Sequence, residues 1–152
     1  MAIQIGDRAP EILGADQDGN EVRLSDFEGR KLALYFYPKD NTSGCTAEAC
    51  SLRDGYGELQ EAGYEVLGAS RDNARSHQRF IAQHNLPFRL IADTEDTLQE
   101  QFGVRAEKSM YGRKYTGTLR TTFLIGEDGI VNGIIGPGEV NTKDHASQIL
   151  KK

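Results

Sequence analysis

Two cysteines, Cys45 and Cys50, are the only thiols in this chain of 152 residues, and they stand five positions apart. Cys45 lies between an apolar run at 32–37 and a predicted helix, so it falls in or just before the first helical turn. Unpaired backbone N–H groups and the positive end of the helix dipole favour a thiolate there. Because the thiolate is the nucleophilic form of cysteine, the position indicates thiol chemistry.

A different interpretation treats both cysteines as small buried hydrophobic residues, which free cysteines often are. Gly44 and Thr46 flank Cys45 and argue against a well-packed apolar niche around it. Cys50 fits equally well as a core residue on the inner face of the helix. The spacing differs from the Cys-x-x-Cys of a thioredoxin or a zinc knuckle, and the sequence has no second Cys/His cluster to complete four metal ligands.

The elements that must position these residues alternate between strand and helix. The run at 32–37 lacks polar alternation, which is typical of a central strand covered on both faces. Downstream, capping residues and apolar spacing predict helices at 43–62, from 72 or 73 to 84, near 94–102 and after 141–142, with strands at 64–69, 88–92, 119–125 and 130–135.

This order predicts one α/β domain over residues 1–152. Strands that alternate with helices imply βαβ crossovers, so we expect a mixed sheet with helices on both sides. Asp18-Gly19-Asn20 and Asp128-Gly129 lie between short strand-like runs and predict two β-hairpins.

Composition excludes several classes of function. The net charge of −5 has the wrong sign for a protein that binds phosphate backbones, so we expect no nucleic-acid partner. No apolar run approaches the roughly 18 residues that span a bilayer, so we expect no membrane insertion. The first residues lack a basic region followed by an apolar one, which makes the cytoplasm the expected location.

A specific motif surrounds Cys45. The pattern Pro38-x-x-x-Thr42-x-x-Cys45 resembles the active-site motif of the peroxiredoxins. The wider strings at 35–40 and 44–50, and later ones at 107–115 and 120–125, resemble the bacterioferritin comigratory protein or peroxiredoxin Q subfamily. This resemblance covers nearly the whole chain and implies a thioredoxin-like fold, with a central mixed sheet flanked by helices and an N-terminal β-hairpin extension.

The resemblance also implies roles for five residues. Cys45 matches the peroxidatic cysteine, which attacks peroxide and becomes a sulfenic acid. Thr42 matches a hydroxyl that hydrogen-bonds the thiolate and the peroxide, Arg120 matches the arginine that favours the thiolate and polarises the peroxide, and Pro38 matches a ring that shields the pocket. Cys50 would resolve the sulfenate by forming an intramolecular disulfide.

The function that follows is a thiol peroxidase for hydrogen peroxide and small organic hydroperoxides. It would need no metal or organic cofactor, would be regenerated by thioredoxin or a similar dithiol, and would act as a monomer. Two alternatives stay open: a peroxide-sensing relay that passes its disulfide to another protein, and a non-enzymatic thioredoxin-fold binding protein.

Other charged residues permit two interpretations. Glu48 is either a charge at the helix start or the partner that orients Arg120. His77 and His84 share a helix face with apolar residues and are interpreted as partly buried packing residues, and His145 as a surface or packing residue. A basic segment is either a solvated loop or part of the site, and it contains Arg105, Lys108, Arg113, Lys114 and Arg120.

Disulfide formation between Cys45 and Cys50 requires a change of backbone. Five residues of continuous α-helix separate two Cα atoms by roughly 8.6 Å. A disulfide usually needs about 4.4 to 6.8 Å between them. We therefore expect the segment around Cys50, to about Gly55, to unwind on oxidation.

Overall fold

A computed structural model describes residues 2–152, with the side chains of all but Lys108, Ser109, Met110 and Tyr115. The predicted contribution of Lys108 to a basic segment therefore lies outside the described side chains. In chain order the elements are β1 (Ile12–Ala15), β2 (Glu21–Arg23), a 3-10 helix (Leu24–Phe27), β3 (Lys31–Phe36), α1 (Ser43–Asp54), α2 (Tyr56–Glu61), β4 (Tyr64–Ser70), α3 (Ala74–His84), β5 (Arg89–Ala92), α4 (Thr97–Phe102), β6 (Arg105–Met110), β7 (Arg113–Thr118), β8 (Thr121–Ile125), β9 (Val131–Ile135) and α5 (His145–Leu150).

A five-stranded mixed sheet forms the centre, in the order β5-β4-β3-β8-β9. β3 runs parallel to β4 and antiparallel to β8, so it is the central strand that its apolar sequence predicts. β4 and β5 continue the parallel half, and the β8–β9 hairpin forms the antiparallel half. Both predicted hairpins are confirmed, because β1 also pairs with β2 across the Asp18-Gly19-Asn20 turn.

Alternate residues of β3 build two hydrophobic cores. Leu32, Leu34 and Phe36 pack on one face of the sheet with residues of α4 and the N-terminal hairpin. Ala33 and Tyr35 pack on the other face with residues of α1, α2, α3 and α5. The period of two that defines a strand therefore fills both sides of the sheet, as expected for a strand covered on both faces. The predicted arrangement of helices on both sides is confirmed.

The single helix predicted over 43–62 is wrong. α1 ends at Asp54 and α2 begins at Tyr56, with Gly55 between them at φ −93° and ψ 6°. α5 packs against this break so closely that a Cβ on Gly55 would lie 2.5 Å from the Cβ of Ala146. Tertiary packing against α5 thus interrupts a segment that is helical by local pattern, and glycine permits the close contact.

The basic segment at 105–120 is not a solvated loop, because it contains the antiparallel hairpin of β6 and β7. Arg113 and Lys114 are exposed there, whereas Arg105 is partly buried and donates to Thr118 Oγ1 and the Thr116 carbonyl. No helix within residues 2–152 is long and apolar enough to span a bilayer.

Candidate active site

The loop that follows β3 delivers Cys45 to the start of α1. Thr42 is the N-cap, with an extended backbone, and the first helical hydrogen bond runs from Thr46 N to Thr42 O at 2.8 Å. Cys45 is therefore in the first turn, as predicted. Backbone N–H groups of a first helical turn have no carbonyl partner within the helix, and they favour an anion at this end.

Arg120 lies directly against the Cys45 sulfur. Its Nη2 atom donates to Cys45 Sγ at 3.3 Å from a position just before β8. Gly44 makes room for this contact, because a Cβ on Gly44 would lie 3.2 Å from the same Nη2 atom. Cys45 itself is only 1% exposed and belongs to the apolar core between the sheet and α1. The expectation that Gly44 and Thr46 keep Cys45 out of an apolar environment is therefore wrong.

Glu48 holds the other branch of the same guanidinium group. Arg120 Nη1 donates to Glu48 Oε1 at 2.6 Å, and the Glu48 side chain is fully buried. The guanidinium fork thus links thiol and carboxylate with fixed geometry, which arginine provides better than lysine. Burial raises the pKa of Glu48 to about 7, although the charge and hydrogen bond of Arg120 act in the opposite direction. Of the two interpretations of Glu48, the structure supports the one in which it is the partner that orients Arg120.

His145 lies behind Glu48 and is fully buried. Its interpretation as a surface residue is therefore wrong. Asn141 N donates to Gln148 Oε1, which identifies that atom as an acceptor, so His145 Nδ1 must donate to it at 2.8 Å. Nε2 is then left to accept the Thr122 hydroxyl at 2.6 Å. Burial lowers the pKa of His145, which keeps the ring neutral near Glu48.

Thr42 and Pro38 lie in the same loop, but neither hydrogen-bonds the sulfur. The Thr42 hydroxyl donates to the Lys39 carbonyl at 3.0 Å, and a hydroxyl has only one hydrogen to donate. Pro38 is half-buried at the edge of an open cleft. The predicted contact of Thr42 with a thiolate therefore requires its hydroxyl to rotate away from Lys39.

A buried polar network anchors this loop, and no sequence motif indicates it. Asp40 accepts hydrogen bonds from the Tyr37 hydroxyl at 2.6 Å and the Ser76 hydroxyl at 2.8 Å, and it pairs with His77 Nδ1 at 2.7 Å. The other nitrogen of His77 bonds the Ile91 carbonyl at 2.9 Å. His77 is thus a hydrogen-bonded anchor between α3 and the loop, rather than a packing residue.

Within the described residues, Asp40, Asp72 and His77 form the one group of three whose potential metal-ligating atoms lie within 4.8 Å of one another. Their atoms already serve the network. Asp72 Oδ2 accepts from Asp40 N at 2.9 Å and from the Ser70 hydroxyl at 2.6 Å. The cluster is explained by hydrogen bonding that holds the loop, and it needs no ion.

Cys50 lies farther along α1 and is half-buried. Both cysteines are free thiols. α1 is continuous from Ser43 to Asp54, so Cys45 and Cys50 occupy one helix with the thiols apart. The Cys50 sulfur lies 4.0 Å from the Nδ1 atom of His84.

The AhpC/TSA family model matches residues 5–134 of the chain. Peroxiredoxin Bcp of Escherichia coli is 42% identical over 148 residues, which cover 97% of this chain and 94% of the relative. The chain belongs to the AhpC/TSA family of peroxiredoxins. This peroxiredoxin also resembles solved structures of the same subfamily. A mutant of the Xylella fastidiosa PrxQ has a TM-score of 0.88 at 31% identity, covering 99% of this chain and 95% of that one.

The bacterioferritin comigratory protein of Xanthomonas campestris has a TM-score of 0.84 at 33% identity, with 95% of this chain and 96% of that one covered. These comparisons confirm the thioredoxin-like fold and the resemblance to the Bcp and peroxiredoxin Q subfamily. The protein is accordingly a thiol peroxidase. Its peroxiredoxin chemistry needs a thiolate and fixed donors for the charge that develops when an O–O bond breaks. The contact of Arg120 Nη2 with Cys45 Sγ places a thiol and a cationic donor side by side.

Proposed function

We propose that this peroxiredoxin reduces hydrogen peroxide and small organic hydroperoxides, with Cys45 as the peroxidatic cysteine and Cys50 as the resolving one. The observation that carries the proposal is the fork of Arg120, whose two terminal nitrogens reach Cys45 Sγ and Glu48 Oε1. A permanent cation against one thiol in the first turn of a helix favours its thiolate. Cys50 has no such position at a helix start.

The first step follows from this geometry. The Cys45 thiolate attacks one peroxide oxygen, the S–O bond forms, and the O–O bond breaks. The leaving oxygen departs as hydroxide or alkoxide and takes a proton from solvent to become water or an alcohol. We assign Arg120 to the developing negative charge, Thr42 to hydrogen-bonding the thiolate and the peroxide once its hydroxyl has rotated, and Pro38 to shielding the entrance.

One relative and one surface feature support organic hydroperoxides as substrates. The Xanthomonas campestris protein is described by its alkyl peroxide reduction activity. In this chain an open cleft of about 400 Å³ adjoins the active-site loop. Its lining residues are Pro38, Lys39, Arg71, Asp72, Arg105, Thr116, Gly117 and Thr118. We propose that the alkyl group of a small organic hydroperoxide lies against Pro38 at the edge of this cleft.

In the second step the Cys50 thiol attacks the sulfur of the Cys45 sulfenic acid, which forms a disulfide and releases water. The continuous helix from Ser43 to Asp54 keeps the two Cα atoms at the separation of about 8.6 Å that regular geometry gives, beyond the reach of a disulfide. α1 must therefore open before the bond closes, and the break at Gly55 limits the segment that has to move.

We propose that a thioredoxin-type dithiol then reduces the disulfide, in the cytoplasm, with the protein acting as a monomer. A dithiol exchange needs no further group from this chain, since the incoming thiolate attacks one sulfur and its partner thiol completes the exchange. A compartment that maintains such dithiols is the one in which a protein with two reactive cysteines can turn over.

Single-cysteine variants test the assignment. Cys45→Ser should abolish peroxide consumption, whereas Cys50→Ser should react once, give a sulfenic acid that dimedone traps, and fail to turn over with thioredoxin. Steady-state peroxide consumption and a single-turnover measurement distinguish the two. Equal loss of the single turnover in both variants would overturn the roles. A fast wild-type single turnover without turnover on any dithiol would favour the relay over the peroxidase.

A further inference from the structure

Cys50, like Cys45, has a polar side chain near its sulfur. Cys50 Sγ lies 4.0 Å from the Nδ1 atom of His84, which ends α3, and both side chains are half-buried. Sulfur hydrogen bonds are long, and this separation suits a thiol that points at an imidazole nitrogen. A packing role for His84 does not account for a ring nitrogen directed at the sulfur.

One contact orients the imidazole, and another holds the backbone of His84. The ring packs edge-on against Phe80, with centroids 5.2 Å apart and planes at 78°. The carbonyl of His84 accepts Arg53 Nη1 at 2.9 Å, which ties the end of α3 to α1. Arg53 stands three residues after Cys50 on the same helix, so its side chain is a neighbour of the sulfur. The pKa of Arg53 is raised chiefly by its hydrogen bond to Asp54, and the negative charge of a Cys50 thiolate adds to this.

We propose that His84 is a catalytic residue of the resolution step, in which Nδ1 accepts the proton of the Cys50 thiol. This inference rests on the proposed role of Cys50 as the resolving cysteine. Arg53 supplies a cation beside the thiolate that results. The site thus has two activated thiols, one beside Arg120 and one beside His84, and each serves one step of the cycle.

The step balances without an added reactant. Neutral His84 takes the proton from Cys50, which leaves an imidazolium and a thiolate. When α1 opens, the thiolate attacks the Cys45 sulfur of the sulfenic acid, the S–S bond forms and the S–O bond breaks. Hydroxide leaves, and it gains a proton through solvent as the imidazolium loses one. The net reaction converts one sulfenic acid and one thiol into a disulfide and water.

The size of the effect follows from the population of thiolate. An ordinary cysteine with a pKa near 8.5 is only about 3% ionised at about pH 7. A base that takes the Cys50 proton as the S–S bond forms can therefore speed disulfide formation by up to about thirtyfold at that pH. The advantage disappears at about pH 9.5, where an ordinary thiol is already mostly ionised.

The experiment compares the wild type with His84→Gln and, as a matched control, Gln83→Ala, which changes an exposed neighbour on the same helix. Reduced protein is mixed rapidly with hydrogen peroxide, quenched with acid at successive times, and analysed by intact mass for sulfenic acid and disulfide. The series runs from about pH 6 to about pH 9.5. His84→Ala is measured in addition, with and without imidazole in the buffer.

We expect His84→Gln to form sulfenic acid at the wild-type rate but to form the disulfide ten to thirty times more slowly at about pH 7, with the deficit vanishing near pH 9.5. Imidazole should restore part of the rate in His84→Ala, and Gln83→Ala should match the wild type. An unchanged rate of disulfide formation, or a deficit equal at every pH, would overturn the role of His84. A disulfide that fails to form in the wild type would instead refute Cys50 as the resolving residue.

Discussion

Replacing Arg120 by methionine tests the contact on which the peroxide step depends. Methionine keeps much of the side-chain volume but removes both the charge and the fork. The bond from Arg120 Nη2 to Cys45 Sγ, 3.3 Å long, would be lost, and Glu48 would lose its partner at 2.6 Å. Because a cation favours the anionic sulfur that attacks an electrophile, its removal must lower the reactivity of Cys45.

The size of that change can be worked from the contact. A hydrogen bond to a charged group contributes about 1.5 to 3 kcal/mol, and about 1.36 kcal/mol changes an ionisation equilibrium tenfold. Alkylation of Cys45 near neutral pH should therefore slow by about ten- to a hundredfold in Arg120→Met. The peroxide step should slow further, by about a hundredfold or more at saturating pH, since a donor to the developing charge is also lost.

Two measurements separate these effects. Iodoacetamide alkylation of the Cys50→Ser background near neutral pH reports the reactivity of Cys45 alone. Rapid-mixing rates with hydrogen peroxide at high pH report the loss of charge stabilisation. Arg113→Met removes an exposed arginine of the same basic segment and should change neither. An unchanged alkylation rate together with an unchanged peroxide rate in Arg120→Met would mean that Arg120 does not act on Cys45.

Three other predictions concern stability and motion. The pKa of Glu48 rises from 4.5 to about 7 on folding, so the folded state holds this proton more tightly. The protein therefore loses up to about 3 kcal/mol of stability as pH rises through that window. Urea unfolding of Glu48→Gln should show a correspondingly weaker loss of stability with pH. Gly55→Ala should destabilise the protein by about 1 to 3 kcal/mol, because its Cβ would meet α5, while Gly57→Ala, which meets nothing, should stabilise it slightly. Amide exchange over 45–57 should accelerate on oxidation while β3 stays protected; identical exchange in both states would contradict the opening of α1.

The local sequence pattern is sufficient to predict most of the sheet and the start of α1. The apolar run that became β3 has the composition of a buried strand, and its central position followed from that alone. Cys45 in the first helical turn and Glu48 beside Arg120 were also accessible, since a motif and a helix start fix where those side chains point.

Other features depend on contacts between segments distant in sequence. The break at Gly55 is set by α5, which lies about ninety residues later in the chain. The sequence does not predict the pairing of β6 with β7, because their basic, polar residues lack the alternation of a half-buried strand. A hairpin of this kind is held by backbone pairing more than by burial.

The hydrogen-bond partners of the buried histidines also depend on contacts that the sequence does not reveal. His77 and His145 are both fully buried, and each is held by hydrogen bonds to residues on other elements. Helical spacing could place them on an inner face, but it could not reveal their partners. The role of Asp40 could not be predicted for a similar reason, since nothing nearby in sequence indicates that its side chain hydrogen-bonds both Tyr37 and a residue of α3.

In the proposed cycle Cys45 and Cys50 form one redox couple. Titration with a single equivalent of hydrogen peroxide tests this directly. The reduced protein is treated once, its free thiols are counted, and the oxidised chain is digested without reductant and mapped by mass spectrometry. Both thiols should be lost together, and Cys45 and Cys50 should be joined within one chain. An unchanged count of free thiols would contradict it.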